Sequence, residues 1–131
     1  MIKLKIKGLE TEFLITCREL YFKKIHPFDF EKTTSDDYQK ALTLGKSIIE
    51  EKGLHSFLYF QMEGQYRVNL WTALIGLEYV NPNDSLKVPE KLIDELLNSV
   101  KAGEIAELPE TTTRNRDNWI KEQEDRFGKS E

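Results

Sequence analysis

The sequence predicts an all-α domain, and three observations carry the prediction. Five segments repeat apolar residues at helical spacing. Glycine, proline or a capping side chain stands at most of the boundaries between them. The third observation is residues 66–80, YRVNLWTALIGLEYV, in which ten of fifteen positions are apolar. Leu70, Ala73, Leu74 and Leu77 mark one helical face, and Trp71 and Ile75 widen it around most of the circumference. This stretch is expected to be the central, buried helix. Its remaining stripe, Asn69, Thr72 and Gly76, is small enough to let a second helix approach closely. Asn81-Pro82 closes it, because proline cannot continue a helix and disfavours helical backbone in the residue before it.

Residues 1–9 alternate apolar Ile2, Leu4 and Ile6 with Lys3, Lys5 and Lys7, which is a strand period. They are expected to be an extended or flexible N-terminus. A β-hairpin within residues 1–17, pairing this stretch with Phe13, Ile15 and Cys17, is the open alternative. Residues 11–25 read as a helix with Phe13, Cys17 and Leu20 on its stripe, joined by Leu14, Tyr21 and Ile25. Lys23 and Lys24 suit its last turn, and His26-Pro27 ends it. Phe28 and Phe30 are expected to fold back as plugs from the following loop.

Thr34 with Asp37 forms a capping box of the T-x-x-D kind, opening a helix whose stripe is Tyr38, Ala41, Leu42, Gly45, Ile48 and Ile49. Gly53 sits where a C′ glycine belongs. Residues 54–62 fit either a strand or a short helix, and their place between clear helices favours the helix. Beyond the central segment and a polar loop, Pro89 is placed in the first turn of a helix carrying Leu92, Ile93, Leu96, Leu97 and Val100. Gly103 closes that helix, and Thr111-Thr112-Thr113 opens the last one. With only Trp119, Ile120 and Phe127 as apolar anchors, the last helix is expected to lie outside the core, with residues 128–131 as a frayed tail. Six helices in one domain of residues 1–131 result.

Composition narrows the function. The 131 residues are 39% hydrophobic and 32% charged, enough for a core without metals or disulfides. The single cysteine, Cys17, excludes an internal disulfide and fits a reducing cytoplasm. No apolar run is long enough to span a bilayer, and the lysine-rich start is unlike a secretory signal. A net charge of −4 argues against nucleic acid as a partner. The charge is uneven: residues 1–32 carry seven basic against five acidic side chains, and residues 78–110 carry three against eight.

LHSFLYFQMEGQYRVNLWTALIGLEY resembles a HEAT-type unit, a short apolar helix, a tight turn and a V-x-L-W-x-A helix, here Val68, Leu70, Trp71 and Ala73. Residues 35–125 are similar in this way to small bacterial all-helical HEAT-like proteins of unknown function, with NRDNW and its Trp119 as the closing segment. The layout is also similar to immunity proteins of bacterial toxin systems. The resemblance implies a small right-handed superhelix of HEAT-like helix pairs, and it transfers no catalytic motif.

The residues supply little chemistry of their own. A nucleophilic Cys17 needs a base, and the two histidines are His26 and His55. Cys17 lies on an apolar stripe, where cysteine acts as a small hydrophobe, and His26 stands at a helix end, where it caps carbonyls. Two distant histidines and one cysteine do not make a metal site, no glycine-rich phosphate loop is present, and no cofactor is expected. Adjacent acids such as Asp36-Asp37 diverge by about 100° on a helix.

Arg67 and Glu78 are expected on one side of the central helix about three turns apart. Charges on so apolar a helix need partners, and salt bridges to neighbouring helices are the simpler reading, with partner binding as the other. The acidic stretch with Asp94, Glu95, Glu104 and Glu107 suits a face that meets a basic protein. The expected function is a non-enzymatic, cytoplasmic protein-binding module, an immunity-type inhibitor of a basic bacterial toxin. A HEAT-like structural adaptor or self-associating scaffold is the alternative.

Overall fold

A computed structural model describes residues 2–81, 88–103 and 108–129, with side chains from Gly8 onward. Among these residues the chain is all-helical and contains no strand. Six α-helices follow one another: α1 (Ile2–Phe22), α2 (Asp36–Lys52), α3 (Leu54–Leu58), α4 (Val68–Gly76), α5 (Glu90–Lys101) and α6 (Glu110–Arg126). Four 3-10 turns punctuate them, of which Tyr59–Met62, Gln65–Arg67 and Leu77–Tyr79 surround α4.

The N-terminus is the first correction. Residues expected to be extended, or paired as a hairpin, form the first two turns of α1. A lone strand leaves its backbone N–H and C=O groups without partners, whereas a helix satisfies them within itself. Gly8 is carried inside the helix at a cost of about 1 kcal/mol against alanine. Of the expected stripe of α1, Phe13, Cys17 and Leu20 are fully buried and Ile25 partly so, but Leu14 and Tyr21 are exposed, because they lie at the edge of the stripe where no other element covers them. The helix stops at Phe22, earlier than the periodicity implied. The Ile25 N–H donates to the Leu20 carbonyl and the Lys24 N–H to the Tyr21 carbonyl, with Lys24 left-handed at φ 62°. This is a Schellman closure with lysine in glycine's usual place.

α2 is capped one residue later than the sequence implied. The Ser35 hydroxyl, not that of Thr34, accepts the Tyr38 N–H at 3.3 Å. Gly53 ends the helix at φ 95°, a conformation that side chains rarely adopt. Residues 54–62 are helical as expected, α3 running into the Tyr59–Met62 turn. Phe28 is buried from the preceding loop as a plug, but Phe30 remains exposed.

α4 is central, touching α1, α2, α3 and α5. Every residue from Leu70 to Gly76 is buried, and Trp71 is 1% exposed. The Tyr38 ring meets Trp71 edge-on, centroids 4.9 Å apart. The close approach expected at Gly76 is present: a Cβ there would lie 2.4 Å from Leu58 Cδ2. The helix is shorter than its apolar run, because Tyr66 and Arg67 are left-handed and Leu77–Tyr79 tightens to a 3-10 turn.

Pro89 and Pro109 each stand at the N-cap, just ahead of α5 and α6, one place earlier than a first-turn position. α5 buries Ile93, Leu96, Leu97 and Val100. α6 is not the outlying helix that its few apolar residues implied. Trp119 and Ile120 are buried in the core, and the Trp119 ring lies 5.2 Å from that of Phe28. Two large anchors one helical position apart suffice, because Thr112, Arg116 and Gln123 are buried beside them. Arg126 donates to the carbonyls of Leu77 (3.0 Å) and Val80 (2.7 Å), supplying partners at the end of the central segment. The tail is tied down as far as it is described. Gly128 is left-handed at φ 68°, and the Lys129 ammonium bridges Glu90 and Asp94.

Replacing Trp71 by alanine removes the largest fully buried side chain from this contact set. The expected loss is about 3–5 kcal/mol in urea denaturation. A loss below about 1 kcal/mol would contradict the burial of that ring.

Candidate functional site

Among the described residues, the charged side chains singled out in the sequence do not converge. Arg67 and Glu78 are not on the central helix: Arg67 is the left-handed residue before α4, and Glu78 lies in the 3-10 turn after it. Arg67 finds an aromatic face rather than a carboxylate, its guanidinium lying 4.8 Å from the Tyr21 ring centroid. Glu78 is exposed, and its charge reaches the Tyr38 phenol, whose pKa burial has already raised. On α5, Asp94 is half-buried and holds Lys129 at 2.9 Å, while exposed Glu95 receives a long 3.5 Å contact from Gln61. Glu104 and Glu107 lie outside the described residues.

Cys17 and His26 carry the signs of structural groups. Burial pushes the Cys17 thiol up to about 12, so the thiolate that nucleophilic chemistry needs is scarce near neutrality. His26 does not cap the end of α1 as expected. Its Nδ1 accepts the Phe28 N–H at 3.1 Å, and that bond shapes the turn that inserts Phe28 into the core. Burial, reinforced by the charges of Arg67 and Arg116, lowers the His26 pKa to about 3. Among the described residues, no three His, Cys, Asp or Glu side chains gather as a metal would require.

The most organised surface feature is one that the sequence did not disclose. The rings of Tyr21, Phe22 and Tyr66 form a triangle with centroids 5.5–5.7 Å apart. Phe22 is 65% exposed in spite of these contacts. Leu14, Arg18, Tyr21 and Phe22 follow i, i+4, i+7 and i+8, so α1 presents an exposed, largely apolar stripe beside its buried one. Ile15 widens that stripe, and Met62 and Tyr59 are exposed on the neighbouring turn.

The backbone that holds this surface is specific. Tyr66 (φ 55°) and Arg67 (φ 60°) are consecutive left-handed residues, each costing roughly 1–2 kcal/mol for a side chain of this kind. The loop is bonded across its base: the Asn69 N–H donates to the Glu63 carbonyl at 3.0 Å, and the Gln65 N–H to Glu63 Oε1 at 3.1 Å. Two depressions share Gln65 and Tyr66 in their walls. One, of about 190 Å³, has Leu14, Ile15, Arg18 and Val68 in its walls. The other, of about 440 Å³, includes Tyr21, Arg67, Asn69 and Gly103.

Only the exposure of Phe22 had a sequence signal, since it falls off the core stripe of α1. Nothing in Tyr66-Arg67 announces left-handed backbone, which the sequence would sooner assign to Gly64. Comparison of the chain with protein-family models, with curated proteins and with solved structures finds no match to any of them.

Two measurements test the readings of Cys17 and His26. Cys17 is expected to react with a thiol reagent far more slowly in the native protein than in urea, and rapid native labelling below neutral pH would assign it an activated thiolate. Because the His26 pKa is lowered on folding, the unfolded chain takes up a proton below about pH 6.5 that the native chain refuses down to about pH 3. Stability therefore falls with pH in that window, by at most about 1.4 kcal/mol per unit from this group. His26→Asn, with an acceptor available for the Phe28 N–H, should lose less stability than the wild type between pH 7 and pH 5. Equal losses would remove His26 from the acid response.

Proposed function

We propose that this chain is a non-enzymatic protein-binding module whose contact surface is the aromatic triangle of Tyr21, Phe22 and Tyr66 with Arg67. One observation carries the reading: the exposed rings of Tyr21 and Phe22 pack against Tyr66, which stands with Arg67 in consecutive left-handed backbone within a loop bonded across its base. Strain of this kind is tolerated where the surroundings over-determine it, and it concentrates at functional surfaces. Aromatic and arginine side chains dominate binding energy at protein interfaces, and preorganising them lowers the entropy lost on association.

The specific role in this reading is an immunity-type inhibitor in the bacterial cytoplasm, capturing a toxin by surface contact. The helices are then HEAT-like pairs stacked as a small right-handed superhelix, an architecture that offers a continuous face to a partner. Asp94 and Glu95 form a secondary contact for a basic partner, with Asp94 already sharing Lys129 with Glu90. No helix among the described residues is long and apolar enough to cross a membrane. A self-associating adaptor is the second reading, and the same exposed apolar stripe on α1 favours it.

Affinity capture from the native host, with mass spectrometry, tests both. A Phe22→Ala/Tyr66→Ala variant should recover the specific partner with at least about tenfold lower yield, and Glu95→Lys should not. Retention by the aromatic variant together with loss by Glu95→Lys would move the contact to α5. Light scattering that shows a dimer broken by Phe22→Ala would favour the adaptor.

A further inference from the structure

α6 turns a basic residue inward because other side chains set its helical phase. Trp119 and Ile120 anchor the helix in the core, and Thr112, Arg116 and Gln123 share their buried face. Arg116 is 7% exposed, so its guanidinium needs hydrogen bonds and counter-charge from within the protein. Only one edge of it is served. Nε and Nη2 both donate to Asp117 Oδ1, at 3.2 and 2.8 Å. Nη1, directed away from that carboxylate, is fully buried and has no hydrogen-bond partner among the described residues. The Asp117 side chain is itself 58% exposed, which leaves much of its charge to solvent.

The surroundings add positive potential. Asn115, the neighbour of Arg116 in sequence, donates Nδ2 to the Phe28 carbonyl at 3.1 Å. His26 Nδ1 accepts the N–H of the same phenylalanine, so the His26 loop is held against α6. With Nδ1 acting as an acceptor, the neutral imidazole carries its hydrogen on Nε2 and is a donor there. The charges that bear on this ring are those of Arg67 and Arg116. Arg67 has the Tyr21 ring for a partner rather than a carboxylate.

We propose that Arg116 Nη1 holds one small inorganic anion, of the size and charge of chloride, buried beside the Phe28 loop. An anion satisfies the unpaired donor and neutralises a buried charge together, whereas water supplies the bond without the charge. Enclosure sets the size: an occupant of a fully buried atom is about as large as a water molecule, which excludes a partner's side chain. The ion clamps α6 to the loop that inserts Phe28 against Trp119.

Melting temperature at constant ionic strength tests this, with chloride replacing gluconate stepwise and no other small anion in the buffer. A saturable rise is expected, about 3–6 °C once chloride stands tenfold above its Kd. Bromide should substitute for chloride, and acetate should not. Arg116→Met keeps an unbranched chain in the core and should abolish the response. Arg114→Met, at an exposed position of the same helix, should retain it. Nuclear magnetic resonance of the wild type gives a readout that needs no variant. Chloride should shift the Arg116 Nε–H and His26 ring signals along one saturating curve.

A melting temperature that follows ionic strength alone overturns the proposal. So does a chloride response that Arg116→Met retains, which would be a bulk salt effect. If Arg116→Met does not fold, the wild-type spectra decide. Absence of a saturable shift at Arg116 leaves Nη1 to water and removes the anion.

Discussion

The burial of α4 on every side is the constraint to which the other helices answer. A nine-residue helix in which every residue but Asn69 is buried has to be enclosed, and a chain of this length has few elements with which to do so. Two glycines make the enclosure tight. Gly45 of α2 lets Ile75 approach to within what would be 2.9 Å of a Cβ, and Gly76 admits Leu58 of α3. Tyr38 adds an edge-on contact to Trp71 while its hydroxyl donates to the Pro27 carbonyl, so one side chain ties α2, α4 and the first loop together. α6 closes the arrangement through Arg126, whose guanidinium takes the carbonyls where α4 gives way to its 3-10 turn.

A helix so placed cannot be entered gradually. The chain arrives from the Tyr59–Met62 turn on one side of α4 and has to reverse within a few residues to start the helix at Val68. Consecutive left-handed residues at Tyr66 and Arg67 accomplish that reversal. Their backbone strain, a few kcal/mol together, is small against the burial of Leu70, Trp71 and Leu74 that it permits. A consequence for the surface follows directly. The same φ angles that start α4 turn the Tyr66 ring onto Phe22 and lay Arg67 over Tyr21. Core formation and surface presentation are therefore coupled at one loop.

Electrostatics distinguishes the two faces considered for binding. On α5 the carboxylates have partners: Lys129 sits between Glu90 and Asp94, whose bonds raise its pKa, and Glu95 faces Gln61. On the α1 side Arg67 lies over the Tyr21 ring, and Arg18 shares the wall of one depression with Glu63. The charge bias visible in the composition thus marks the side of the molecule that is partly neutralised within itself.

The sequence by itself determined the all-helical class, the burial of most of the central run within residues 66–80, the Phe13, Cys17 and Leu20 part of the α1 stripe, most of the stripes of α2 and α5, and the stop at Gly53. Each follows from local periodicity or from the conformational freedom of one residue type, and neither requires knowledge of a neighbour. The burial of Trp119 and Ile120 and the shift of the α2 cap to Ser35 depended on what packs against or bonds to those residues in space. The binding surface was still less legible. A side chain is exposed only because no other element covers it, and left-handed backbone at tyrosine and arginine runs against their intrinsic preference. Both outcomes are settled by contacts between positions far apart in sequence, here Tyr21 with Tyr66 and Leu58 with Gly76. Periodicity specifies which face turns inward; only the packed structure decides what is left outside and how firmly it is held.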